Sequence, residues 1–373
     1  MAIAAQLMQD ELDSLLGDTG GDGLLTGDST VIGAKLARAK DLVHTGLFPT
    51  VPEDFAPVSQ FEHLYENDQV VWNVLQATRI AAFVASRVLG KQLLSEEKSA
   101  DQLDVVSVLD KVCNDIIRFY CELKLPDHVQ IFEENDVPIP ELPTNGKYLT
   151  ADGIDGSGPA KDGLRDGSAV MMSEGEMVNG KAVGRVASVF MPGLGKWFVA
   201  VKGKGAWLNG KKIELVNDES ITLDQAKISI NPYGDERFAS ALERLLEKKL
   251  KERLGDENVF DARVSSIEPL ALLDPGLRAN NRSRQVNLHM HQSNNIPSNP
   301  SGNVKQQPWD KDPMRLLMEE AGLKFVYIRT GEDIDIFKAE PMVVGPKGLV
   351  DELRAMLNDP EFDEPKAEFE MAA

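Results

Sequence analysis

A layered α/β (α+β) sandwich in two halves is the fold class this sequence predicts, and three observations predict it. Apolar residues recur at helical spacing between residues 66 and 123. Strand-length apolar segments then crowd residues 129 to 201. After residue 227 single strand and helix candidates alternate, as in an α/β layer. A chain of 373 residues, 42% of them hydrophobic, has enough apolar surface for a sizeable core.

Residues 1–60 read as an extension, with one short helix near Gln6–Leu16 and a Gly- and Asp-rich flexible link from Gly17 to Gly27. Residues 61–215 form the N-terminal α+β half. Its first helix carries a stripe of Val70, Val71, Val74, Leu75, Ile80, Phe83, Val84 and Val88, and Gly90 fits its end. A second helix runs from about Asp104 to Leu123, with Val108, Val112, Ile116, Phe119 and Tyr120 on one face; Pro126 stops it. Strands follow at 129–133, 148–154, 168–172, 184–190 and 197–201. Asn209-Gly210 then marks a hairpin turn, because that dipeptide accepts the positive φ such turns need.

Residues 216–373 form the C-terminal α/β half. Strands are expected at Lys227–Ile230, Val259–Phe260 and Phe325–Ile328, and helices at Glu236–Leu254 and Leu349–Leu357. The stretch 275–309 reads as a long basic loop. It holds Arg278, Arg282, Arg284, Lys305, His289 and His291 among Asn, Ser, Gln and Pro, and no Asp or Glu. A histidine pair in a polar loop reads as solvated, not as a metal site.

Charge narrows the function. Forty Lys+Arg stand against 60 Asp+Glu, a formal −20, which repels nucleic acids and anionic membranes and suits divalent cations. No apolar run approaches a membrane span. Two cysteines cannot make a disulfide framework and suggest a reduced compartment. Met1 to Met8 is apolar but short, with acids close behind, so no targeting signal is legible and a cytoplasmic protein is expected.

Carboxylates recur at the expected element ends. Asp152-Gly153-Ile154-Asp155-Gly156-Ser157 puts two acids three residues apart at the end of a strand. Read alone, it is either a cation-binding turn or an exposed Asx turn. Glu133 and Glu134 end the preceding strand. Asp104 to Asp110 opens the second helix, and Trp309-Asp310 opens a third; Asp104 and Asp310 would each serve as a helix cap.

Together these four pieces resemble the inositol monophosphatase superfamily, whose pattern runs D-x-V-T-x-x-D, G-E-E, D-P-I-D-G-T, then W-D with E-A-G-G. That superfamily also includes 3′(2′),5′-bisphosphate nucleotidases and fructose-1,6-bisphosphatases. The Pro192 to Gly210 segment and the closing Pro341 to Leu357 segment fit it too, so the resemblance covers roughly residues 65 to 357. It implies an inositol monophosphatase-like fold and a Mg²⁺-dependent, lithium-sensitive phosphatase with two or three ions. Glu133, Asp152 and the Ile154 carbonyl would hold the first ion; Asp152, Asp155 and Asp310 the second; Asp110 would face a third through water. Glu133 and Ser157, with Asp110, would orient the attacking water, and the amides of Gly156 and Ser157 would bind phosphate. Arg278, Arg282 and Arg284 would meet a second anionic group of the substrate, a small phosphorylated metabolite. The site is expected between the halves, and a homodimer is an open option.

The sequence departs from the family at Phe132 for Gly, Gly153 for Pro, Ser157 for Thr, and Asp310-Lys311-Asp312-Pro313 for D-x-A-A. These departures define the alternative from another class, a catalytically silent homologue that binds a phosphorylated ligand or a protein partner.

Overall fold

The computed structural model describes residues 2–17, 29–89, 95–97, 105–133, 144–156, 167–215, 221–231, 241–261, 268–274, 276–277, 286–291, 307–338 and 340–359. The chain divides into two compact units. The first comprises Met1–Ile213, Ser265–Ile267 and Pro308–Glu320; the second comprises Glu214–Val264, Glu268–Gln307 and Ala321–Ala373.

The first unit begins with two helices, α1 (Ala2–Gly17) and α2 (Ser29–Val43). The second of these has no counterpart in the sequence reading, because its Ala, Gly and Lys content dilutes the apolar stripe. Yet Leu12, Leu16, Ile32, Leu36 and Leu42 are all buried. A short turn of helix, α3 (Glu62–Tyr65), leads to α4 (Gln69–Ser86), which Asp68 caps by accepting from the amides of Val70 and Val71. Next comes a two-stranded antiparallel ribbon of β1 (Ser95–Glu97) and β2 (Val105–Ser107), then α5 (Val108–Lys124).

Seven strands make the sheet of this unit in chain order: β3 (His128–Phe132), β4 (Gly146–Asp155), β5 (Ala169–Val178), β6 (Lys181–Met191), β7 (Lys196–Val201), β8 (Gly205–Leu208) and β9 (Lys211–Lys212). β3 runs parallel to β4, and every later pair is antiparallel. Asn209 and Gly210 take the positive φ values of 47° and 73° that the last hairpin requires.

Along β4, Leu149 and Ala151 join the apolar core shared with α1, α2, α4 and α5. Tyr148, Thr150 and Asp152 point to the opposite face, as the two-residue period demands. That face is covered by the helix Pro308–Glu320 (α7 below), to which Tyr148 is hydrogen-bonded through Asp312. β4 is therefore buried on both sides.

The second unit holds a five-stranded sheet in the order β11-β10-β12-β14-β13. Its strands are β10 (Ile228–Asn231), β11 (Val259–Asp261), β12 (Leu288–His291), β13 (Lys324–Tyr327) and β14 (Met342–Gly345). The helices are α6 (Ala241–Leu254), α7 (Pro308–Glu320), which belongs to the first unit, and α8 (Lys347–Leu357). The central strand, β12, lies inside the segment read from sequence as a loop. Only four residues long and flanked by Asn, Ser and Pro, it gives no periodic signal. His289, read as solvated, is 1% exposed, and its Nδ1 shares a 2.6 Å hydrogen bond with the Ser229 hydroxyl of the neighbouring strand.

Burial lowers the His289 pKa from 6.5 to about 3, so the folded form keeps the ring neutral. Below pH 6.5 the unfolded chain takes up a proton that the folded chain refuses. Stability is thus full above that pH and is lost as pH falls toward about 3. Urea melts at pH 7 and pH 5 should show this loss, up to about 1.4 kcal/mol per pH unit. His289→Asn should flatten the slope.

Candidate active site

Four elements deliver acidic side chains to one end of β4. The strand itself supplies Asp152 and Asp155, and between them its pairing with β5 slips by one residue. A bulge of this kind bends the strand and re-aims its side chains. Within it the Ile154 amide donates to Asp152 Oδ1 at 2.8 Å, and the Gly153 amide donates to Asn114 Oδ1 at 3.1 Å. β3 ends beside the bulge, where the Glu133 amide donates to the Ala151 carbonyl at 3.0 Å. α7 brings Asp310 on its first turn.

Asp152, Asp155 and Asp310 are buried, and each offers an oxygen within 4.8 Å of the others. All three lie in the first unit. Burial pushes the Asp152 carboxyl well above the usual carboxylate range, and the charges of Glu133, Asp155 and Asp310 push it further. Gathering such groups is costly unless a cation neutralises them. An all-oxygen donor set of this kind fits a hard divalent ion such as Mg²⁺.

Asp110 is 2% exposed on the first turn of α5. Asn114 lies one helical turn further along the same face, and its bond to Gly153 turns that face toward the bulge. Glycine is required at two points of the turn. A Cβ on Gly153 would come within 2.7 Å of the Asn114 backbone nitrogen, and at Gly156, where φ is +80°, a Cβ would lie 2.1 Å from the Gly167 carbonyl oxygen. Phe132 joins the apolar core, and Lys311 is buried beside Asp310. Ser157, Glu134, Asp104, Arg278, Arg282 and Arg284 lie outside the described residues. Sequence reasoning missed Asn114, Tyr148, Ser173 and Asp312; each is a common residue in an ordinary element, and only the fold brings them together.

Residues 66–348 match the family model described as the inositol monophosphatase family. The chain belongs to that family. A relative from Saccharomyces cerevisiae, inositol monophosphatase 2, is 33% identical over 163 residues, covering 44% of this chain and 53% of the relative. The chain spans about half the length of the curated relatives it matches. Among solved structures, staphylococcal inositol monophosphatase-1 in a lithium-soaked inhibitory complex matches with a TM-score of 0.59 at 18% identity, covering 80% of this chain and 96% of that one. An IMPase/NADP phosphatase complexed with Mg²⁺ and phosphate matches with a TM-score of 0.57 at 19% identity, covering 80% and 97%. At such identities the likeness is one of fold.

A proline at position 153 is incompatible with this chain's turn. Proline would lose the N–H that Asn114 accepts and would place carbon against the backbone of α5. Gly153→Pro should destabilise the protein by about 1–3 kcal/mol in denaturant melts.

Proposed function

We propose that this family member is a Mg²⁺-dependent phosphomonoesterase acting on a small phosphorylated metabolite. The observation that carries the reading is the convergence of three buried carboxylates within 4.8 Å at the end of β4, with Glu133 beside them. Glu133, Asp152 and the Ile154 carbonyl would hold one ion, and Asp152, Asp155 and Asp310 a second. Asp110 would face a third through water. Bound Mg²⁺ supplies charge neutralisation at the phosphoryl oxygens and acidifies the attacking water.

The chain's own groups do the rest. Glu133 and the Ser157 hydroxyl, with Asp110, orient the water in line with the leaving oxygen. The amides of Gly156 and Ser157 hold the phosphoryl group. The ester is cleaved by direct attack of water, with no covalent phosphoenzyme. Arg278, Arg282 and Arg284 meet a second anionic group of the substrate. Lithium sensitivity and a cytoplasmic location belong to the same reading, and a homodimer stays an open option. The lithium-soaked solved structure supports the first, and two free buried cysteines support the second.

Phosphate release from the purified protein tests the reading, using inositol 1-phosphate, 3′-phosphoadenosine 5′-phosphate, fructose 1,6-bisphosphate and a set of sugar phosphates. Turnover should require Mg²⁺ and fall at least ~100-fold in Asp155→Asn. A folded, Mg²⁺-binding protein that turns over none of these esters would instead favour a silent phospho-ligand binder. Neutralising Arg278, Arg282 and Arg284 together should raise KM ~10-fold for a bisphosphate and leave KM for a monophosphate unchanged.

A further inference from the structure

Two residues past Asp310, α7 carries a second acid, Asp312. Asp312 is fully buried. Its Oδ2 accepts from the Tyr148 hydroxyl at 2.8 Å and from the Ser173 hydroxyl at 2.7 Å, and its Oδ1 pairs with Arg315 Nη2 at 2.5 Å. Ser173 spends its hydrogen on Asp312, so Thr150, 2.6 Å away, donates to Ser173. Arg315 Nη1 reaches the Ala182 carbonyl at 3.1 Å. The cluster thus joins α7 to β4, β5 and β6.

The sheet is shaped for this cluster. Gly175 and Gly184 are paired across β5 and β6. A Cβ on the first would lie 2.7 Å from the Tyr148 hydroxyl, and one on the second 3.3 Å from Asp312 Oδ1. The helix also has reason to need an external hold. Pro313 has no N–H to give the Trp309 carbonyl, so the turn that carries Asp310 is short of one of its own backbone bonds. On the sheet side, Tyr148, Thr150 and Asp152 occupy alternate positions on one face of β4. The strand that offers the latch therefore also offers the ligand.

We propose that Asp312 is a positioning residue: clamped by Tyr148, Ser173 and Arg315, it holds the first turn of α7 so that Asp310 stays against Asp152 and Asp155. The inference rests on the metal-site reading above. The latch touches neither ion nor substrate and acts through the placement of Asp310.

Mg²⁺ binding to the full-length protein by titration calorimetry is the test, with the Mg²⁺ dependence of phosphate release and thermal melts alongside. Tyr148→Phe and Asp312→Asn should weaken Mg²⁺ binding ~10-fold, while kcat at saturating Mg²⁺ stays within about threefold. Asp310→Asn is the reference and Val186→Ala, a core change away from the latch, the control for general loosening. Wild-type Mg²⁺ affinity in Asp310→Asn would overturn the metal site itself. Weak binding in Asp310→Asn with wild-type binding in Tyr148→Phe, the variant least disruptive to folding, would overturn the latch alone. A loss in Val186→Ala equal to that in Tyr148→Phe would overturn it as well.

Discussion

Mutual repulsion among buried carboxylates is the constraint on which the first unit depends. Asp152, Asp155 and Asp310, with Glu133 beside them, would separate or take up protons if left to themselves. Rigid neighbours hold them instead. The bulge fixes Asp152 through the Ile154 amide, and the Gly153–Asn114 bond ties the turn to α5. The β3–β4 pairing extends to Glu133. Such a site is a store of negative potential; on the function proposed above, a bound cation would let an acidic protein accept an anionic ester.

Burial of β4 on both faces is what makes this precision available. Apolar packing against α4 and α5 fixes one side of the sheet, and α7 fixes the other. The two layers differ in kind. One is a continuous hydrocarbon core with fully buried Leu, Val and Phe; the other includes a hydrogen-bonded polar cluster around Asp312. Apolar contacts are adaptable, whereas a hydrogen-bonded cluster specifies one register of helix on sheet. Burial works against the charge on Arg315, but Asp312 and its neighbours raise its pKa, so the cation persists. Burial and Asp312 hold the Tyr148 phenol protonated as a donor.

Much of this was legible in residue order. The strands from 128 to 201 and the helix at Gln69–Ser86 announce themselves by period, and the Asn209-Gly210 hairpin by its turn chemistry. The clustered acids Asp152, Asp155 and Asp310 were legible as a set only through their resemblance to a family pattern, since each alone is an ordinary cap or turn residue. β12 was not legible, because four residues inside a polar segment carry no period and the burial of His289 is decided by its sheet neighbours. Helix α2 was hidden by its diluted apolar stripe, and the latch by distance along the chain. Tyr148 and Asp312 are 164 positions apart, and no local rule connects them.

That separation has a consequence for synthesis. The helix bearing Asp310 is part of the first unit, yet the second unit's first two segments, Glu214–Val264 and Glu268–Gln307, are both encoded before it. A nascent chain that has emerged as far as β9 has its seven strands but lacks the helix that covers one face of β4. Tyr148 and Ser173 then face water, and the acid cluster has two members instead of three. The ribosome must deliver about another hundred residues, roughly 5–20 s of elongation, before that face can close. During that interval the polar face of β4 stays uncovered, and the cluster of three acids cannot form until the helix arrives.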